Sequence, residues 1–352
     1  MQIILNTLMS SNFNPNAVGQ PNGNYFALPY TPEESDIILV SAPWDATASY
    51  GVGAHLAPEA IIDTSAQVDL FDADVDAAWS IKIGTEPIDK SFHKLNKQAR
   101  RYSDYVMAVL QEGVEEINLQ NEITFVNTAS AKVNDYVYNK AKKHLSENKL
   151  VGVVGGEHST PFGLMKALNE KCLSFGILHI DAHADLREAY EGFTYSHASI
   201  MYNVINELEH VEKIVSVAVR DYCDDEAQLM ATNPRIRAFT DAHLAEAAFS
   251  GKTWAAQCEE IITALPEKVY ISFDIDGLSP DNCPHTGTPV PGGLSYNQAL
   301  FLLKKLMLSG KQIIGFDLCE VAVGGAEEWD ANVGARLLYK LCCYAHSTNL
   351  KQ

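Results

Sequence analysis

Short runs of apolar residues recur along the chain, and they predict eight strands buried inside the protein. The runs are rich in Val, Ile, Leu and Phe, as in DIILVSAPW and KLVGVVGG, and turn-forming residues follow several of them. Strands are predicted within residues 36–44, 80–84, 149–158, 174–185, 213–222, 235–240, 268–277 and 312–321.

Segments with helical features lie between most of these strands. They cover residues 91–119, 130–147, 295–308 and 330–346, and shorter helices are predicted to start at Pro58, at Pro161 and near Ser196. Ser159 or Thr160 is the expected cap of the helix at Pro161. Alternating strands and helices imply βαβ crossovers and a parallel sheet covered on both faces. We therefore expect an α/β fold, a three-layer α/β/α arrangement around an eight-stranded, mainly parallel sheet.

The chain is predicted to form one domain over residues 36–352, because no segment in that range has the composition of a linker. Residues 1–35 are rich in Asn, Ser, Pro and Gly. They predict an irregular N-terminal arm that lies on the body of the protein or on a neighbouring subunit, with disorder as the alternative.

Charge and cysteine usage narrow the classes of function. The 352 residues carry 26 Lys and Arg against 45 Asp and Glu, a net charge of −19. This balance argues against nucleic acid and anionic membranes as partners and is compatible with a cationic substrate. Seven Cys without a C-x-x-C motif indicate free thiols in a reducing compartment, and the N-terminal residues lack the features of a signal peptide. We therefore expect a cytoplasmic protein.

The segment SFGILHIDAHAD combines a buried strand with side chains that bind metals. Asp181, His183 and Asp185 occupy alternate positions after the apolar run, so an extended backbone would point all three to one face. Two carboxylates and an imidazole would then meet at the carboxyl end of a strand. The alternative interpretation is a hydrated acidic turn.

Two other strand ends carry the same types of side chain. Asp274 and Asp276 repeat the alternate spacing, and His158 follows a Gly-Gly turn, where a purely structural turn histidine is the alternative. Together the three strand ends supply two imidazoles and four carboxylates, which suit two hard divalent ions such as Mn²⁺. A mononuclear zinc hydrolase is a competing hypothesis, but it would need fewer carboxylates.

Three motifs resemble the signature motifs of the ureohydrolase family, which includes arginases and agmatinases. They are GGEHS at 155–159, DAHAD at 181–185 and SFDID at 272–276, and the similarity extends over residues 36–345. The resemblance implies an arginase-like fold, homotrimers or homohexamers, and two Mn²⁺ per chain. It assigns one ion to His158, Asp181, Asp185 and Asp274, and the other to Asp181, His183, Asp274 and Asp276.

The resemblance also implies a catalytic set. His197, in YSHA, matches the proton-shuttling histidine of the family, and Glu320, in DLCEV, matches the carboxylate that pairs with the substrate guanidinium. Asp185 completes the predicted set. A metal-bridging hydroxide would attack the guanidinium carbon, and urea and a primary amine would leave once the amine is protonated.

The loop of residues 185–198 resembles agmatinases and favours agmatine, which would give putrescine and urea. The alternatives are a guanidino acid held by Arg187, arginine, free guanidine or formimidoylglutamate, and, in another class, a non-catalytic guanidine-binding homologue. Nickel is an alternative metal. Trp44 and Tyr50 could narrow the pocket or serve only in packing. The chain departs from the family at Glu157, usually Asp, at Ser279, often Asp, and at His285, usually a small residue.

Overall fold

The computed structural model describes residues 13–114, 117–324 and 328–350, and its centre is one sheet of eight parallel strands. The strands are β1 (Ile37–Ala42), β2 (Ile83–Thr85), β3 (Leu150–Gly155), β4 (Phe175–Ile180), β5 (Val211–Val217), β6 (Ile236–Phe239), β7 (Lys268–Asp274) and β8 (Gln312–Cys319). Their order across the sheet is β2-β1-β3-β8-β7-β4-β5-β6, and every pairing is parallel. The predicted fold class is confirmed, and the sheet is wholly rather than mainly parallel.

The apolar runs form strands because the sheet is buried on both faces. In β1, Ile37 and Leu39 belong to one hydrophobic core, whereas Ile38 and Val40 belong to a second core on the opposite face. Each of these side chains is fully buried, and such burial stabilises the fold by about 1.5–3 kcal/mol per side chain. Continuous apolar runs, rather than alternating ones, are therefore the pattern this sheet requires.

Ten of the described helices cover the two faces. One face carries α1 (Ala57–Ser65), α7 (Asp241–Phe249), α8 (Trp254–Thr263), α9 (Tyr296–Leu308) and α10 (Trp329–Ser347). The other carries α2 (Ser91–Glu112), α3 (Gln120–Ser146), α4 (Phe162–Lys171), α5 (Ile200–Glu207) and α6 (Asp224–Thr232).

Two local predictions about the helices are wrong. The helix expected over 130–147 begins ten residues earlier, because polar residues such as Asn127 and Thr128 obscure its periodicity. The helix expected to be capped by Ser159 or Thr160 begins at Phe162 with Pro161 as its N-cap residue, and neither hydroxyl caps it. The Ser159 hydroxyl instead donates to the buried carboxylate of Glu157.

Residues 13–35 lie partly on the body of the protein. Tyr25 and Phe26, in a short 3₁₀ turn, are buried, and the Tyr25 hydroxyl lies 2.8 Å from Ser41 Oγ in β1. Residues 1–12 of the expected arm lie outside the described residues, and the division at residue 36 stays a prediction. All seven cysteines are free thiols. The described helices include none that combines the length and apolarity needed to cross a membrane.

The strand order brings the predicted site residues together. Strands β3, β8, β7 and β4 are neighbours in the middle of the sheet, and each is followed by residues singled out from the sequence. Parallel strands end at the same edge, so His158, Asp181, Asp274 and Glu320 emerge side by side.

Candidate metal centre

The imidazole of His158 is the centre of a first group of possible ligands. Its Nδ1 lies 2.9 Å from Asp181 Oδ2, 3.0 Å from Asp185 Oδ2 and 3.3 Å from Asp274 Oδ2. All four residues are buried. These are the residues that the resemblance assigns to one metal ion.

A second group adjoins the first and shares Asp181 with it. His183 Nδ1 lies 3.1 Å from Asp276 Oδ2 and 3.5 Å from Asp181 Oδ1. Asp276 Oδ1 also accepts a hydrogen bond from the backbone N–H of Ala182, which ties the end of β7 to the end of β4. The six residues predicted as ligands therefore lie together, in two groups that share the Asp181 carboxylate.

Two unusual backbone conformations and one close backbone contact orient the side chains of the site. Asp185 and Glu320 have φ values of 55° and 60°, a left-handed region that non-glycine residues enter at a cost of about 1–3 kcal/mol. Gly156 passes so close to the segment after β1 that a Cβ atom there would lie 2.0 Å from the carbonyl oxygen of Trp44. This position requires glycine, because any side chain would push the His158 turn away from the sheet edge.

The electrostatics of the site favour bound cations. Burial, together with repulsion from Asp276 and Asp181, raises the pKa of Asp274 well above its usual value. Burial and the neighbouring Asp181 likewise raise the pKa of Asp185 to about 6. Four crowded carboxylates resist ionising together unless positive charge is supplied. The donor set of carboxylate oxygens and imidazole nitrogens therefore fits two divalent cations, one at each group of ligands.

A cavity of about 160 Å³ opens onto these ligands. Glu320 and His197, the two residues predicted to act on the substrate, both line it. Glu320 Oε1 accepts a hydrogen bond of 2.9 Å from the backbone N–H of His158. His197 Nε2 is buried, and within the described parts of the chain it has no hydrogen-bond partner. Burial and the nearby imidazoles of His183 and His158 lower the pKa of His197 to about 3.

Three supporting residues were missed in the sequence. His179 Nε2 lies 2.9 Å from Asp181 Oδ2, and its position two residues before Asp181 on the same strand face could have revealed it. Asp317 lies behind His158 and contacts it through Ser272. Thr47 binds the carboxylate of Glu157.

Other singled-out residues lie away from the ligands. Neither Trp44 nor Tyr50 lines the cavity. Trp44 is fully buried in a hydrophobic core, and the side chain of Tyr50 is 83% exposed. The backbone N–H of His285 donates to Asp330 at 2.8 Å, and Ser279 Oγ accepts from the amide of Asn282 at 2.9 Å. The departures at Ser279 and His285 thus affect loop contacts outside the two ligand groups.

Known proteins are similar to this chain in sequence and in fold. Residues 35–343 match the arginase family. N(1)-aminopropylagmatine ureohydrolase of Thermus thermophilus is 30% identical over 293 residues, covering 83% of this chain and 85% of that protein. Agmatinase of Bacillus anthracis is 27% identical over 293 residues, covering 82% and 84%. The structure of proclavaminate amidino hydrolase from Streptomyces clavuligerus has a TM-score of 0.70 at 20% identity, covering 95% of this chain and 100% of that one.

Proposed function

This chain belongs to the arginase family and is a metal-dependent ureohydrolase, and on that premise we propose that it hydrolyses agmatine to putrescine and urea with two Mn²⁺ bound per chain. The observation that carries the proposal is that the two ligand groups, Glu320 and His197 border the same cavity. The residues of the family's binuclear metal site are present. Manganese and assembly as a homotrimer or homohexamer stay predictions.

In the proposed reaction, Glu320 and His197 act on opposite parts of the guanidine. When bound, two divalent cations supply a water-derived nucleophile at neutral pH and offset the developing charge. The buried carboxylate of Glu320 orients the guanidinium group by charge-assisted hydrogen bonds. His197, whose Nε2 is free among the described atoms and whose low pKa leaves it neutral at the start, accepts the proton released by the attacking water and passes it to the leaving amine nitrogen. Urea and a primary ammonium are the products.

Charged residues in the cavity wall support a substrate with a terminal amine. Asp221 and Glu226 line the cavity together with Arg187. The guanidinium of Arg187 stacks over the ring of Tyr190 at 4.8 Å, and its Nε lies 3.6 Å from Glu226 Oε2. Because Arg187 already has an anionic neighbour, the two carboxylates outweigh it, which favours an ammonium group over a substrate carboxylate.

A second candidate substrate is N(1)-aminopropylagmatine, the substrate named for the Thermus relative. A neighbouring cavity of about 600 Å³ shares Arg187, Tyr190 and Glu226 with the first. Glu188, Glu191 and Asp225 also line this second cavity, so its walls are acidic. A longer substrate could place an additional ammonium group there.

The test is urea release by the manganese-loaded protein, with bound metal counted in the same sample. The substrates are agmatine, N(1)-aminopropylagmatine, arginine, guanidinobutyrate, guanidine and formimidoylglutamate, with ammonia or formamide release followed for the last. We expect kcat/KM for agmatine to exceed that for each carboxylate-bearing guanidine by at least about tenfold. Preference for guanidinobutyrate or arginine would contradict the proposal.

A matched pair of variants separates the two amine substrates. Glu191→Gln removes one acidic charge from the second cavity, and Glu267→Gln makes the same change on an exposed residue next to the amino end of β7. If the longer amine is the substrate, Glu191→Gln raises its KM and Glu267→Gln leaves it within error. If agmatine is the substrate, neither variant changes the ratio of kcat/KM for agmatine to kcat/KM for N(1)-aminopropylagmatine.

A further inference from the structure

The loop that follows β1 is tied to the first motif by two buried residues, Thr47 and Glu157. The backbone N–H of Thr47 donates to Glu157 Oε2 at 2.7 Å, and the Thr47 hydroxyl donates to Oε1 at 2.8 Å. The Ser159 hydroxyl also donates to Oε1, at 2.7 Å. Thr47 and Glu157 are both fully buried, so these bonds form where water does not compete.

The same threonine hydroxyl reaches His197. The backbone N–H of His197 donates to Thr47 Oγ1 at 3.0 Å. A hydroxyl carries one proton, and because that proton is committed to the Glu157 carboxylate, the lone pairs of Oγ1 remain to accept from His197. The hydrogen bonds therefore run in one direction, from His197 through Thr47 to Glu157.

This chain of hydrogen bonds fixes the start of the turn that carries the His197 imidazole. His197 begins the short 3₁₀ turn His197–Ser199, which Ser196 caps through the N–H of Ala198 at 3.2 Å. On its other side the imidazole faces the cavity, and its Nε2 meets no described hydrogen-bond acceptor or donor. The backbone contact with Thr47 is thus a principal constraint on where the imidazole lies.

The length of the Glu157 side chain matters for this contact. The backbone of Glu157 is held by a hydrogen bond of 2.7 Å to the carbonyl oxygen of Trp44, so it cannot easily shift toward Thr47. An aspartate would withdraw the carboxylate by about one C–C bond, roughly 1.5 Å. Both bonds to Thr47 would then exceed the hydrogen-bonding range.

We propose that Thr47 and Glu157 are positioning residues that hold the His197 imidazole at the cavity wall and thereby set the rate of proton delivery to the leaving amine. The inference rests on the proposed function, in which His197 is the proton donor. It predicts an effect on kcat rather than on KM or metal binding. It also accounts for the glutamate in GGEHS, because only the longer side chain of Glu157 brings a carboxylate within hydrogen-bonding distance of Thr47.

The experiment compares Thr47→Val, which removes the hydroxyl at nearly constant volume, with Thr47→Ser, which retains it. We expect Thr47→Val to lower kcat about 10- to 100-fold, since a displacement near 1 Å can cost 100-fold. KM should stay within about twofold and two metal ions should remain bound. Thr47→Ser should recover most of the lost kcat, and Glu157→Asp should resemble Thr47→Val. Thermal unfolding confirms that each variant is folded.

The double variant Thr47→Val/His197→Ala distinguishes positioning from a general structural effect. If Thr47 acts through His197, Thr47→Val has little further effect on kcat in the His197→Ala background. Three results would overturn the positioning role of Thr47 and leave the proposed function in place. They are an equal loss of kcat in both backgrounds, an unchanged kcat in Thr47→Val, and loss of metal from Thr47→Val. A His197→Ala enzyme with the parental kcat would instead overturn the proposed role of His197, and this inference with it.

Discussion

At the scale of single residues, the position of protons decides how His158 is able to bind a metal. Asp317 is fully buried, and its Oδ2 accepts from the Tyr270 hydroxyl at 2.7 Å and the Ser272 hydroxyl at 2.9 Å. Because the Ser272 proton is committed to Asp317, Ser272 Oγ must accept from His158 Nε2, 2.9 Å away. In the neutral imidazole that binds a metal, this network therefore keeps the proton on Nε2 and leaves the lone pair on Nδ1, next to the carboxylates.

We expect Asp317→Asn to weaken metal binding about 10- to 100-fold, since the amide can donate to Ser272 and reverse the hydrogen bond that sets the tautomer. Tyr270→Phe removes one hydrogen bond to the same carboxylate without reversing any, so it should have a smaller effect. Calorimetric titration of the metal-free proteins with Mn²⁺ measures both. Equal affinity in Asp317→Asn and the parent would refute the assignment of the tautomer.

At the scale of elements, the loop after β4 carries both a proposed metal ligand and other residues of the cavity wall. It turns sharply at Asp185, Ala189 and Glu191, which have φ values of 55°, 42° and 56°. These left-handed residues bring Arg187 and Tyr190 back over the cavity. The loop is thus a structured wall, and the charge it presents should influence which guanidines bind.

The sign of the response to Arg187→Met tests this view. Met keeps much of the apolar stem but removes the positive charge, leaving Glu226 without its 3.6 Å neighbour. KM for agmatine should fall and KM for guanidinobutyrate should rise, each by up to about fivefold, the range of 0.2–1 kcal/mol for a partly exposed charge. Steady-state kinetics with the two substrates measures both changes. A rise for agmatine with a fall for guanidinobutyrate would contradict the proposed orientation.

The strands and the ligand motifs could be predicted from the sequence, whereas several helices and contacts could not. Strands were recognisable because burial on both faces demands continuous apolar runs, and the ligand motifs because alternate residues of an extended chain share a face. Helices α6 to α8 were missed, since each spans only nine or ten residues. The bonds from Thr47 to Glu157 and His197 span 110 and 150 residues, so they depend on the tertiary structure.

At the scale of the whole molecule, metal ions and stability are linked. The protein carries a net charge of −19, and the site concentrates several buried carboxylates at one sheet edge. Two divalent cations bound there would relieve that repulsion and link three strand ends, those of β3, β4 and β7. A ligand that binds only the folded state stabilises it by about 2.7 kcal/mol at 100 times its Kd. For a domain of this size, that corresponds to about 4 °C in Tm for each bound ion.

The stabilisation by metal should grow as pH rises through about 6. Burial and the neighbouring Asp181 raise the pKa of Asp185 to about 6 in the metal-free protein, so a cation must displace a proton from this carboxyl below that pH. The raised pKa also means that the metal-free protein becomes less stable as pH rises from about 4 to about 6. In this range the unfolded chain has already released the proton that the folded protein still holds. Metal-loaded protein is spared this loss. Calorimetric unfolding of loaded and chelator-treated samples near pH 5 and near pH 7.5 should show a larger Tm difference at the higher pH. A difference independent of pH would contradict the displacement of a proton from Asp185 by the metal.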